Sequence, residues 1–325
     1  MVDWDSWRRH VDYVIDTRGR YYGLGDADGN PLFDLPDPLP GSPSVDQWMS
    51  SEDLELSLPA VDEDGSPTRA ADLLVLNDLK GFDPSGQLPT AEGDYTLLVA
   101  MRGEDGSTVR RGGLITHTDA SDPGNTGVPT EMTIHALSFM DVWNTVPAVS
   151  WPVAWFNAAP YERTTDESGL EYSQAWEMAR VEMATRTMFT FKHGPASFII
   201  RRLAQESLDA AMMTQQDPDG QRWIDDPYMI VEVPAGPDDS PVISLEARDG
   251  NLWETVAAQA RNAGLILGAR LYWPGDRPVR SWELANSSME PWQVDITPSE
   301  GEPYRQVVEQ EFPHPMIVLE VKEAR

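Results

Sequence analysis

Residues 95–143 carry the clearest alternation of apolar and polar positions in the chain. A β-rich run, Tyr95-Thr-Leu-Leu-Val-Ala-Met101, meets the turn cluster Gly103-Glu-Asp-Gly-Ser107 and returns through Val109, Leu114 and Ile115. That order predicts an antiparallel hairpin. After a polar loop, Met132, Ile134 and Ala136 alternate with Glu131, Thr133 and His135, so a third strand over 130–138 should have one dry and one wet face. A helix start near Asp141-Val-Trp-Asn follows.

Elsewhere the pattern predicts shorter pieces. Val11, Tyr13 and Ile15 alternate ahead of the Thr17-Arg-Gly-Arg20 turn, so residues 10–24 read as another hairpin. Residues 26–44 contain Pro31, Pro36, Pro38, Pro40 and Pro43 and read as a long surface loop. Residues 53–58 alternate with three leucines on one face, and residues 66–79 favour a short helix with Ser66 as its cap. In the middle, 173–187 places Trp176, Ala179, Met183 and Ala184 at helical spacing, and 195–213 does the same with Phe198, Ile199, Leu203, Leu208 and Met212. Two helices are therefore expected, then a strand at 228–233 and an exposed linker at 234–241.

Residues 251–264 form the cleanest helical pattern, with Leu252, Val256 and Ala260 on one face and Gly264 as the stop. A hairpin over 265–273 and 279–284 is expected next, around Pro274-Gly-Asp-Arg-Pro278. The final run holds Met316, Ile317, Val318, Leu319 and Val321, the pattern of a strand buried on both faces. Such a strand is hazardous as an open edge and should pair within or between subunits. The fold class this supports is α+β, mainly antiparallel β. Composition shifts suggest three parts, 1–148, 149–238 and 239–325, the middle one carrying the two helices.

Charge narrows the partners. With 54 acidic and 24 basic residues the net charge is −30, whereas nucleic-acid binding needs clustered Lys and Arg to displace counterions. The acidity suits a solvated surface, or a negative wall that repels an anion. No cysteine is present, which excludes disulfides and thiolate chemistry. No apolar run reaches membrane-spanning length, and the polar start Met1-Val-Asp-Trp-Asp-Ser-Trp is unlike an export signal.

Candidate chemistry is sparse. Five Asp-Gly pairs, at Asp28, Asp64, Asp105, Asp219 and Asp249, lack calcium-loop spacing and read as turns. The five histidines include no i, i+4 pair and no His-Glu-x-x-His, so zinc hydrolysis has no sequence support. His117 and Asp119 flank Thr118 and should share a strand face, but without a nucleophile elbow they read as a surface pair rather than part of a triad. No phosphate loop or dinucleotide fingerprint is present. No catalytic, cofactor or metal residues are assigned. Twelve tryptophans leave a carbohydrate-binding or hydrolytic protein, tail-associated or secreted, as the alternative reading.

Four segments together resemble the tail-tip (baseplate) hub or minor tail proteins of siphophages, particularly those of actinobacterial hosts. They are 95–120 with Arg110-Arg-Gly-Gly-Leu-Ile115; 132–147 as strand then helix; Gly194-Pro195 opening a helix with Arg201-Arg202; and 244–276, where Asn251-Leu-Trp-Glu precedes Gly264 and Tyr272-Trp-Pro-Gly-Asp276. The end at Arg325 departs from longer relatives that continue into further tip domains. The resemblance implies a non-enzymatic virion protein at the tail tip, built from tube-forming β-barrel-like domains (1–148 and 239–325) and a peripheral domain (149–238). It implies a homotrimer joining a hexameric tail tube to a threefold tip. The neighbours would be distal tail, tape measure and tip or receptor-binding proteins, and DNA would pass without specific binding. No cofactor and no membrane insertion are expected. Glu131, Thr133 and His135 become lumen candidates, and Met316, Ile317, Val318, Leu319 and Val321 assembly candidates.

Overall fold

The computed structural model describes residues 2–40, 53–76, 94–122, 124, 129–149, 161–178, 189–216, 227–248, 250–283 and 306–324. It is α+β with mostly antiparallel strands and no closed barrel among the described residues. The chain divides into two units. The first comprises 1–141, 268–277 and 311–318; the second comprises 142–267, 278–310 and 319–325. The two returns of the chain to the first unit were not expected.

The first unit is organised by an open six-stranded sheet, β2-β1-β4-β5-β6-β3. Its strands are β1 (Tyr21–Asp26), β2 (Pro31–Asp34), β3 (Asp53–Pro59), β4 (Tyr95–Arg102), β5 (Thr108–Ser121) and β6 (Glu131–Ser138). The expected β4–β5 hairpin is present, with Thr96 opposite Leu114 and Arg102 opposite Thr108. One face carries the core: Leu54, Leu56, Leu58, Leu97, Val99, Met132, Ile134 and Ala136 pack with Phe33, Leu35 and Val75. Burying each such side chain contributes about 1.5–3 kcal/mol in transfer terms.

The other face is covered over β1 and β4 by helix α1 (Trp4–Arg18). Arg102 reaches Asp12 and Asp16 of that helix at 2.9 and 2.6 Å. Arg110 lies 4.2 Å over the ring of Trp273, which in turn sits 5.7 Å from Trp4. Toward β5, β6 and β3 this face opens to solvent, with Leu114, His117, Asp119 and Leu137 exposed.

Helix α1 corrects the expected hairpin over 10–24. Val11 and Ile15 fit both a period of two and one of 3.6, but Tyr13 between them is 67% exposed while they are buried. Trp4, Trp7, Val11 and Ile15 form the helical stripe. Asp3 caps it by accepting from the Ser6 amide, and Gly19 ends it at φ +84°. The expected loop over 26–44 is also corrected in part. Asp26 accepts from the Asn30 amide and side chain, closing a turn that returns the chain as β2, with Pro31 opening that edge strand. The expected 66–79 helix shrinks to a turn over Arg69–Ala71 capped by Thr68 and a wide turn over Asp72–Leu76; its end lies outside the described residues.

In the second unit, helix α2 (Ala196–Gln216) opens after Gly194-Pro195 as expected and is buried nearly all round. Several of its buried polar side chains find partners within the chain. Glu206 takes Lys192 at 2.7 Å and Arg202 at 2.8 Å, Gln205 receives the Val231 amide at 2.9 Å, and Arg201 donates to the Val321 carbonyl at 2.6 Å. Helix α3 (Leu252–Asn262) is capped by Asn251, and Gly264 follows it at φ +69°.

The expected helix over 173–187 is overturned at its start. Residues Glu171–Met178 form β8, paired with β7 (Tyr161–Thr165). The reason is local: Asp166 accepts from the Ser168 and Leu170 amides, and Gly169 adopts φ +86°, a hairpin turn the helical spacing obscured. Residues 179–187 lie outside the described residues. Strand β9 (Phe189–Pro195) pairs with β11 (Val242–Arg248), and β10 is Met229–Val231. The hairpin expected over 265–284 is absent. Strand β12 (Leu265–Tyr272) neighbours β15 (Met316–Glu323) in the order β10-β15-β12, while β13 (Val279–Trp282) pairs with β14 (Val307–Gln310). Both β12 and β15 are buried along most of their length, so each needs neighbours that a two-stranded ribbon lacks.

Candidate functional site

Among the described residues, a polar constellation with metal-ligating groups lies on an accessible surface, at the open end of the six-stranded sheet. On β6 the expected alternation holds: Met132, Ile134 and Ala136 are buried, Glu131 is exposed, and Thr133 and His135 are half-buried. Register then sets the neighbours. On β3, Glu55 lies opposite His135 and Ser57 opposite Thr133; on β5, His117 lies opposite His135 and Asp119 opposite Thr133.

The pairing on β5 depends on an irregularity. Ile115 pairs with Ala136, and a regular ladder would then place Thr116 opposite His135 and turn His117 toward the core. The register shifts between Ile115 and His117, so His117, not Thr116, faces His135. A bulge of this kind re-aims side chains and recurs next to functional sites.

The result is a compact group. The imidazoles of His117 and His135 are stacked, with centroids 4.2 Å apart and planes 3° apart. His135 Nε2 lies 3.1 Å from Asp119 Oδ2, and its Nδ1 lies 3.6 Å from Glu55 Oε1. The Thr116 hydroxyl is 3.1 Å from His117 Nδ1 and donates to the His135 carbonyl at 3.2 Å. Ser57 and Thr133 share a hydrogen bond of 3.1 Å beside it. One ligand atom from each of His117, Asp119 and His135 falls within 4.8 Å of the others. Such a group can hold a proton between imidazole and carboxylate, or present two nitrogens and an oxygen to a cation.

Sequence reasoning put His117 and Asp119 on one face and His135 on a wet face, and both statements hold. It did not join them, and it missed Glu55 and Thr116. The missing signal is the bulge, which no local pattern around Thr116 announces.

The other named candidates lie elsewhere. Met316, Val318, Leu319 and Val321 are buried and Ile317 is half-buried in β15, the middle strand of its sheet. Of the two pairings expected for this strand, within or between subunits, the structure has the one within the chain, with β10 on one side and β12 on the other. Arg110-Arg-Gly-Gly113 is also structural. Arg110 is paired with Asp276, Arg111 donates to the Ala269 carbonyl, and the glycines sit where strands cross closely. Burial pulls the Arg110 guanidinium below its usual range, opposed by Asp276. Asp64, Asp105 and Asp166 accept from the Ser66, Ser107 and Ser168 amides in turns. The serine hydrogen bonds hold Asp64 and Asp166 below the ordinary carboxylate range.

Compared with known proteins, the sequence matches no family model and no curated protein. Among the described residues no helix is long and apolar enough to cross a membrane.

Proposed function

We propose that this chain is a structural hub of a siphophage tail tip, acting as a trimer that joins the tail tube to the tip and forms part of a DNA conduit. The observation that carries the reading is the two-sided sheet: one face packed as core, the other open over β5, β6 and β3 with Glu55, Asp119 and Glu131 exposed. A wall of this type repels a polyanion, and the net charge of −30 extends the same property to the whole chain. The tube is part of the proposal: strands contributed by three copies would close the ring that one copy leaves open. The resemblance of the four segments named above supports the same assignment. In this reading the buried β15 serves the stability of each copy, and its contribution to assembly is indirect.

A carbohydrate-binding protein draws less support. Six tryptophans have described side chains: Trp143, Trp273 and Trp282 are buried and Trp4, Trp7 and Trp253 half-buried, so none of these six presents a fully open ring to stack on a sugar. Mass photometry of the purified chain tests the proposal. A species of three times the chain mass is expected. A strictly monomeric protein that cleaves glycans, with activity lost in His117→Ala, would overturn it.

A further inference from the structure

We propose that His117, Asp119 and His135 form a binding site for a divalent transition metal ion of the zinc class, with Glu55 and Thr116 as its supporting shell. This does not depend on the hub assignment. It rests on the convergence of two imidazoles and a carboxylate from β5 and β6, and on the hydrogen bonds behind them.

The donor set comes first. Two imidazole nitrogens and one carboxylate oxygen suit a borderline cation such as Zn²⁺, whereas Ca²⁺ and Mg²⁺ prefer oxygen alone. The candidate ligand atoms already lie within 4.8 Å of one another. Tetrahedral coordination at about 2.0–2.1 Å for each nitrogen would draw them closer. His117 and Asp119 are exposed, and a small shift of these side chains that keeps the Thr116 contact would open the parallel stack and bring the ligand atoms to one ion.

Supporting contacts select which nitrogen binds. With the Thr116 hydroxyl donating to the His135 carbonyl, its oxygen remains to accept from His117 Nδ1–H, leaving His117 Nε2 as the ligand. Glu55 stands beside His135 Nδ1, and Asp119 beside His135 Nε2. At 3.6 Å the first is a close approach that a small side-chain shift would turn into the carboxylate–imidazole hydrogen bond that fixes a ligand's tautomer; the second puts the other ligand on the metal side of the ring. Two histidines on neighbouring strands thus each have a polar neighbour at Nδ1, Thr116 for His117 and Glu55 for His135, while His135 Nε2 lies beside Asp119. A bare surface ion pair has no need of that order. The bulge at Thr116 supplies both the register that opposes the rings and the hydroxyl that supports one of them. Water, or a donor from another molecule, would complete the coordination.

Isothermal titration of the full chain with ZnCl₂, in near-physiological salt and a large excess of Mg²⁺ to occupy the general acidic surface, tests the site. One Zn²⁺ per chain is expected to persist under that competition. His117→Ala and His135→Ala should each weaken it by at least the roughly 10- to 100-fold typical of losing even an outer-shell partner. Thr116→Val should weaken it less, and Asp62→Asn, on a remote turn, should leave it unchanged. Co²⁺ in place of Zn²⁺ should give visible absorption bands of tetrahedral intensity, lost in the histidine variants. Circular dichroism of each variant guards against misfolding. Zinc uptake abolished by Mg²⁺, or unaltered in a folded His117→Ala/His135→Ala double variant, would overturn the proposal. A chain that binds zinc but stays monomeric would leave this site standing and remove only the hub reading.

Discussion

At Gly112 a methyl group would sit 1.8 Å from the Leu97 carbonyl oxygen, and at Gly113 the same distance from that of Leu137. Neither neighbour is a flexible side chain, so relief requires moving a strand. Gly112→Ala and Gly113→Ala should each destabilise by more than about 3 kcal/mol in urea unfolding, at the far end of single-substitution effects. Gly106→Ala is the contrast: φ is +78° but nothing lies within 4 Å, so a cost of only about 1–2 kcal/mol is expected. Glu206 makes a second test. Burial pushes its carboxyl up, but Lys192 and Arg202 together outweigh burial and hold it below the ordinary carboxylate range. A depressed folded value means the stabilisation is present above the unfolded value and lost as pH falls through the folded one. Glu206→Gln, which removes the buried carboxylate that Lys192 and Arg202 share, should cost about 3–5 kcal/mol at neutral pH. The variant should also show a flatter acid limb in stability against pH; equal acid limbs would show that Glu206 does not govern it.

The elements that were legible from sequence are those whose pattern had only one solution. Residues 95–138 alternate over three strands with glycine-containing turns, and helix α3 has its cap, stripe and stop in place. The first helix was not legible because Val11 and Ile15, four apart, satisfy two periods at once; only the exposure of Tyr13 between them decides for the helix. Strand β8 was missed because Trp176 and Ala179 fit a helix, while the deciding turn at Asp166 lies outside that window. For β12 and β15 the apolar content was clear but the pairing was not, since pattern shows that a strand is buried and not which strand lies beside it. The candidate site failed for a related reason: its residues are far apart in sequence and their meeting depends on register. The β15 assignment carries a prediction. Deleting 315–325 removes the strand between β10 and β12, with Met316, Val318, Leu319 and Val321 buried on it. At about 1.5–3 kcal/mol of transfer free energy each, that loss exceeds the ordering cost of so short a segment. The truncated chain should be recovered as aggregate, read by size-exclusion chromatography; a soluble, cooperatively unfolding product would show that β15 is dispensable.

For the whole molecule, charge sets a condition on assembly that can be measured. Each copy brings a net charge of −30, so bringing three together raises like-charge repulsion whatever the contacts between them contribute. That repulsion is screened by salt: the Debye length falls from about 30 Å at 0.01 M to about 3 Å at 1 M. Contacts made by apolar and backbone groups weaken little over this range, whereas the opposing term nearly vanishes. If the chain assembles as the proposed trimer, its fraction by mass photometry at fixed protein concentration should therefore rise with NaCl. An interface held by cross-chain ion pairs would show the opposite trend. DNA offers the complementary measurement, because a surface with few clustered cations has no counterions to release from the phosphates. Double-stranded DNA should show no mobility shift with this protein even at low salt, where non-specific binding is strongest. A trimer that dissolves as salt is added, or a DNA complex that forms at low salt and disappears at high, would mean that the acidic surface is not the wall of a conduit.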